Sequence, residues 1–245
     1  MEILYEDAHL VLVNKPAGIP TQGAGESLET RVRSHLSSRP DQDVYLGTVH
    51  RLDKPVSGVI AWAKTPKAAR RLASRFAGRE VRKEYWALVD HAAIARQGTW
   101  SDWLIADRSI PGKFAIGRES DPGARLAVTH YERRDEREAA PAGVWRSGGN
   151  GDRHLEDSEP VPVSARPLWL VLHPETGRTH QLRVQCGVRS MPIVGDARYG
   201  SARSFSTGIA LHARRLIVPH PMMERIIDIV AELPPSWEEW SQGRS

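Results

Sequence analysis

The sequence predicts an α+β protein, on three observations. Short runs of alternating or unbroken apolar residues outnumber the windows with helical periodicity. The helical windows fall irregularly among them. No regular strand–helix–strand series and no internal repeat is present, so a doubly wound sheet is not expected.

In chain order, "ILYED" and "HLVLVNK" alternate like strands and stop at Pro16-Ala17-Gly18, a turn signal. "SLETRVRSHLSSRP" reads as a helix capped by Ser27, with Leu28, Val32 and Leu36 on one face and Pro40 beyond its end. Gly58–Lys64 reads as a buried strand. The next helix has Thr65 as N-cap, Pro66 in its first turn and Gly78 as its stop; Leu72 and Phe76 share a face, and Lys67, Arg71 and Arg75 form a basic stripe beside it. Residues 81–89 and 125–134 read as strands joined by short pieces rich in turn residues. From 134 to 167 Pro, Gly, Ser and charge dominate, which predicts a long insertion between two strands within a single domain spanning 1–245. "LWLVLHPETGRTHQLRVQCGV" predicts a strand, a tight turn at Pro174–Gly177 and a short helix from about Thr179. "IALHARRLIVPHP" predicts a further long strand or strand pair.

With 245 residues the chain can bury a sizeable core, and its 40% hydrophobic and 26% charged residues are those of a globular protein. Cys186 stands alone, so no intrachain disulfide can form and a reducing, cytoplasmic setting is expected. The N-terminus has no basic segment followed by an apolar run, and no stretch is long and apolar enough to span a membrane. Net charge is only +4, but between Lys64 and Lys83 eight basic side chains face a single acidic one, the pattern of a polyanion footprint.

Chemistry narrows to one carboxylate. Cys186 lies on an apolar face with Leu182 and reads as a core thiol. The chain has no G-x-S-x-G elbow, no paired histidines at metal-binding spacing and no glycine-rich phosphate loop. "VHRLDKPVSG" (49–58) then stands out, because a turn does not need Arg51 and Lys54 around Asp53. Asp53 can cap that turn or do chemistry, and the motif alone leaves both open. "HPETGRTHQLRV" adds a second polar cluster, with Arg178, Thr179, His180, Gln181 and Arg183 at a helix start, where the helix dipole favours an anion.

"HRLDKPVSG" resembles the H-R-L-D-x-x-T-S-G signature of the RluA-type RNA pseudouridine synthases. The resemblance continues in order through "VNKPAGIPTQ", "RKEYWALV", "AVTHYE", "TGRTHQLRV", "GDARYG" and "LHARRL", covering the chain except the 134–167 insertion. It implies a mixed, mostly antiparallel bent sheet with flanking helices and a central cleft. It also implies isomerisation of uridine to pseudouridine in transfer RNA or large-subunit ribosomal RNA, without cofactor or metal. By position, Asp53 matches the catalytic aspartate, Tyr85 the tyrosine that packs on the target base and is linked to removal of the C5 proton, and Arg183 the arginine paired with the carboxylate. Arg51 matches the arginine that fills the space of the flipped base. His50, Lys83 and the stripe Lys67, Arg71 and Arg75 become candidate RNA contacts, with Arg178 and His180 in supporting or backbone-contacting roles. A facing guanidinium favours an ionised carboxylate where burial alone opposes it. Val56 stands where the signature has threonine, and Gln185-Cys186 where a histidine and a hydrophobe often follow. The S4 domain that many relatives carry before the first strand is expected to be absent, and the chain to act as a monomer. Two rival readings, an RNA-binding assembly factor and a uracil-C5 methyltransferase working through Cys186, differ in whether Asp53 is needed for turnover.

Overall fold

The computed structural model describes residues 1–23, 25–37, 39, 43–90, 94–134 and 167–241. Apart from its end residues, the 134–167 insertion lies outside them. The class is α+β as expected: one mixed sheet carries the described strands, with helices set against it.

The sheet begins with the hairpin of β1 (Glu2–Glu6) and β2 (Leu10–Lys15), and β2 pairs antiparallel with β4 (Ser57–Ala63). The short β3 (Gly47–Thr48) lies along the far half of β4, and β10 (Leu211–Pro219) runs parallel to its near half. From β10 the order continues antiparallel through β5 (Arg82–Val89), β9 (Leu168–Pro174), β8 (Arg125–Arg134), β6 (Gln97–Ala106) and β7 (Phe114–Gly117). β11 (Ile226–Val230) folds back on the end of β10. The strands most deeply placed carry unbroken apolar runs: every residue of β4 is buried, as are Leu10–Val13 of β2.

Both expected helices form with the caps the sequence offers. Ser27 and Thr30 make a reciprocal capping box at the start of α1 (Leu28–Leu36), which buries Leu28 and Val32. Thr65 accepts the Ala68 amide at the start of α2 (Pro66–Ala77), whose Ala68 and Leu72 are buried. The α2 stop differs in detail. Gly78 sits at the end with an ordinary φ of −75°, and the left-handed residue is Arg79 (φ 58°), which closes a Schellman turn through Glu80 N–H to Arg75 O at 3.0 Å. Four strands escaped the sequence reading, the two-residue β3 among them. β6 and β7 lie where only turn-rich pieces were expected, because β6 buries just Trp100 and Leu104 and so shows little periodicity. β11 is five residues long and buries only Ile227. α3 (Gln181–Gly187) begins two residues later than expected, since His180 takes a left-handed conformation and stays outside the helix. Among the described residues no helix is long and apolar enough to cross a membrane.

Candidate active site

Asp53 sits in the loop that enters β4, and that loop is clamped through its backbone rather than by its aspartate. Thr21 Oγ1 donates to Leu52 O at 2.7 Å and accepts Leu52 N–H at 3.2 Å. Gly18 N–H reaches Lys54 O, Ile209 N–H reaches Pro55 O, and Val56 N–H returns to Asp53 O. The fully buried Lys15 extends its ammonium to three carbonyls, Val56 O at 2.6 Å, Pro16 O at 3.0 Å and Lys54 O at 3.1 Å. Burial lowers the pKa of Lys15 to about 8, with Asp53 pulling the other way. The glycine that ends the motif is also required. Gly58 has φ +116°, and a Cβ there would lie 2.3 Å from Ala213 O, where β4 and β10 run side by side. Val56, in the place of the signature threonine, is buried and the turn holds. Lys15→Met removes three donors from an enclosed set of carbonyls. Urea unfolding should show a loss of about 3 kcal/mol.

With its own turn satisfied by backbone, the Asp53 carboxylate is free to face elsewhere. It meets Arg183, which α3 brings across 130 positions of sequence: Nη1 donates to Asp53 Oδ2 at 3.1 Å. Arg183 is itself held by a two-pronged contact with Asp196, Nε to Oδ2 at 2.7 Å and Nη2 to Oδ1 at 2.8 Å. Only 6% of the Arg183 side chain and 2% of the Asp196 side chain are exposed, against 25% for Asp53. Burial works against the guanidinium charge, but the Asp196 bonds and then Asp53 outweigh it and raise the Arg183 pKa. Asp53 is therefore the open end of a buried Asp–Arg–Asp chain.

Asp53 opens onto a cleft of about 1280 Å³ lined by the 48–56 loop, the end of α2, Lys83 and Tyr85 of β5, the 174–183 segment, Pro111–Gly112 and Arg198. Tyr85 is half-buried, paired with Ala213 and Leu172 on the neighbouring strands; burial, and then the charge of Asp53, push its pKa well above the usual phenol value. Arg51 lines the cleft and is exposed. His50 lines it too, but its Nε2 accepts the Ala61 amide at 2.9 Å and its ring stacks on Phe76, and burial lowers its pKa to about 3. Lys83 and Arg178 lie together. Their polar partners are carbonyls, Thr176 O at 3.1 Å and Leu126 O at 2.9 Å. Burial, and then Arg178, lower the Lys83 pKa to about 8. His180 comes within 3.7 Å of Asp53 Oδ2. Lys67, Arg71 and Arg75 are outside the cleft: Arg71 donates to Pro221 O at 3.1 Å, Arg75 pairs with Glu80, and Lys67 is exposed on α2. Cys186 is fully buried with its thiol pKa raised to about 12, chiefly by that burial. Sequence reasoning missed Lys15, Asp196, Tyr199, Arg79 and Arg198. Lys15, Asp196, Arg198 and Tyr199 fall within segments quoted for the resemblance, but nothing local marks them as neighbours of Asp53.

The family model described as RNA pseudouridylate synthase matches residues 9–187. The chain belongs to the RNA pseudouridylate synthase family. It is 32% identical to the tRNA pseudouridine synthase C of Yersinia pestis, over 99% of this chain and 89% of that protein. It is also 32% identical to the ribosomal large subunit pseudouridine synthase D of Xanthomonas campestris, over 96% of this chain and 66% of that one. The structure of human RNA pseudouridylate synthase domain containing 4 superposes with a TM-score of 0.70 at 25% identity, covering 98% of this chain and 92% of the other. The chain is thus an RNA-modifying isomerase of the pseudouridine synthase type.

Proposed function

We propose that this enzyme isomerises uridine in a folded transfer RNA or large-subunit ribosomal RNA, with Asp53 as the carboxylate that acts at the ribose. The contact that supports this reading above all others is Arg183 Nη1 to Asp53 Oδ2 at 3.1 Å on the wall of the cleft. A carboxylate at the cleft wall, oriented by a guanidinium locked from behind, is preorganised for work on a sugar carbon. In the balanced reaction the N1–C1′ bond breaks, the base turns, C5 bonds to C1′, the C5 proton leaves and N1 gains one; no electrons are exchanged with a second substrate. The uridine must leave its stack to reach Asp53, at a cost of a few kcal/mol. Tyr85 offers a ring for the extruded base and Arg51 a planar group for the gap it leaves. The Tyr85 phenol, its pKa raised, is protonated at neutral pH, so it serves as platform and hydrogen-bond donor rather than as a standing base. On this reading the chain acts as a monomer with a single catalytic domain. The lone buried thiol fits the reducing cytoplasm. The test is release of tritium from C5 of labelled uridine in total cellular RNA, with pseudouridine mapping in cells with and without the protein; no release from any RNA would return the chain to the assembly-factor reading.

Phosphate contacts are assigned to Arg51, Arg79, Lys83, Arg178 and Arg198 inside the cleft; the α2 stripe is an outer contact at most. Lys83 and Arg178 repel each other and, among the described residues, pair with no carboxylate, so a phosphate would relieve both. Because the free Lys83 pKa is about 8 and a bound phosphate would raise it, RNA binding takes up a proton above that pH. The apparent Kd should rise up to about tenfold per pH unit between pH 8 and 9. Lys83→Met should weaken binding at pH 7, lower the salt slope by about 1 and flatten this pH dependence in fluorescence anisotropy. Unchanged slopes in the variant would remove Lys83 from the phosphate track.

A further inference from the structure

His180 occupies a backbone position that favours other residues. It precedes α3 with φ 55° and ψ 17°, in the left-handed region where glycine or asparagine is usual. The residue at this point of a helix ordinarily supplies an oxygen to the first amides, but the His180 side chain makes no capping bond. Gln181 instead ties down the turn that precedes the helix, its Oε1 accepting from Arg178 N–H at 3.0 Å and from the Thr176 hydroxyl at 2.7 Å. Strained backbone of this kind gathers where a side chain must be aimed.

The aim is explicit. His180 Nδ1 lies 2.8 Å from the Tyr199 hydroxyl, and that oxygen also accepts the Phe114 amide at 3.1 Å. With an N–H already delivered to it, the phenol oxygen has its own proton to give, and Nδ1 is there to take it. The imidazole proton then sits on Nε2, the nitrogen facing Asp53 Oδ2 at 3.7 Å. The other tautomer would turn a lone pair toward a carboxylate. Burial lowers the His180 pKa against the pull of Asp53, Arg183 and Arg198 add to that lowering and Asp196 opposes it, so the neutral ring is favoured. Among the described residues, Arg183 and His180 both approach Oδ2, and no hydrogen bond falls on Oδ1.

We propose that His180 is a positioning residue for Asp53: with Tyr199 and the β6–β7 hairpin fixing its tautomer, its Nε2–H and Arg183 bracket Oδ2 and leave Oδ1 to act on the ribose. The proposal rests on the reading of Asp53 as the reacting carboxylate. The 3.7 Å separation exceeds hydrogen-bond reach, and such contacts tighten when substrate enters and water leaves. The hairpin takes part directly. Phe114 opens β7 and meets His180 edge-on at 5.8 Å, and Tyr199 lies under the Arg183 guanidinium at 5.0 Å. One phenol thus touches both groups that hold Oδ2.

The test is single-turnover release of C5 tritium from bulk labelled RNA of cells lacking the protein, titrated with enzyme so that maximal rate and half-saturation separate. His180→Ala should lower the maximal rate about 10–100-fold while half-saturation moves less than about threefold. His180→Gln, which restores an N–H at the reach of Nε2, should stay within about fivefold of wild type. Tyr199→Phe should cost about tenfold alone and add little to His180→Ala, since both act through one contact. Thermal unfolding of each variant identifies any that is simply unfolded, and the Gln variant carries the test if the Ala variant is. A rise in half-saturation at unchanged maximal rate would make His180 an RNA contact instead. Gln as slow as Ala in folded protein would reduce it to packing. An Asp53→Asn protein that still turns over defeats the underlying reading; an inactive Asp53→Asn beside a fully active His180→Ala defeats this inference alone.

Discussion

Asp53→Asn will lose at least about 10⁴-fold in the rate of C5-tritium release while RNA affinity changes by less than about threefold. The substitution keeps shape and polarity, so the cleft and its cations are untouched and the ground-state contacts with RNA persist. It removes the negative charge that must act at the ribose, and a neutral amide cannot replace it. Stability should move little. Arg183 retains both bonds to Asp196, and Asp53 is the partly exposed partner, with 25% of its side chain in solvent; one charge-assisted bond at the cleft wall contributes about 1–2 kcal/mol. Stopped chemistry with intact binding and a nearly unchanged unfolding midpoint separates a reacting carboxylate from a turn cap. A turn cap would show the reverse, a lower midpoint and retained turnover. Cys186→Ala serves as the control: a fully buried thiol with a raised pKa is no nucleophile, and its loss should leave turnover within about twofold.

What could be read from the sequence divides along a physical line. Local rules worked where one residue type answers one local need. Ser27 and Thr65 cap helices, and the unbroken apolar stretch of β4 is buried throughout. Residue roles in the site were reachable only through the ordered motifs, since no periodicity brings Asp53 beside a side chain 130 positions away. Partners that matter through a third residue stayed invisible. Lys15 reads as an ordinary charge at the end of a strand, yet it is fully buried and ties three carbonyls around the Asp53 loop. The α2 stripe shows a different limit. Its spacing is real, but Arg71 and Arg75 spend their guanidinium groups on Pro221 and Glu80, away from the cleft. Charge density along a sequence does not say which way a helix will turn it. β6 and β7 were missed because a strand near the sheet edge buries too few residues to show alternation, although this hairpin supplies the amide that Tyr199 accepts.

Asp196 should separate from Asp53 in the opposite sense. Asp196→Ala leaves Arg183 buried with two of its donor positions empty and only Asp53 to answer its charge. Breaking one side of a buried ion pair costs about 3–5 kcal/mol, which for a chain of this size lowers the unfolding midpoint by roughly 8–15 °C. Turnover should fall as well, because the guanidinium that fixes Oδ2 is no longer fixed itself. Loss of stability alone could explain slow turnover, so the decisive measurement is a repaired double variant. Replacing both partners, Arg183→Met with Asp196→Leu, removes the unpaired charge and fills the space with apolar atoms, an exchange that is often neutral for folding. That protein should recover most of the lost midpoint and remain inactive, since Asp53 then stands without its guanidinium. A double variant that regains turnover along with stability would show that Arg183 serves only the fold. One that stays folded and silent assigns the Asp196–Arg183 pair to orienting Asp53.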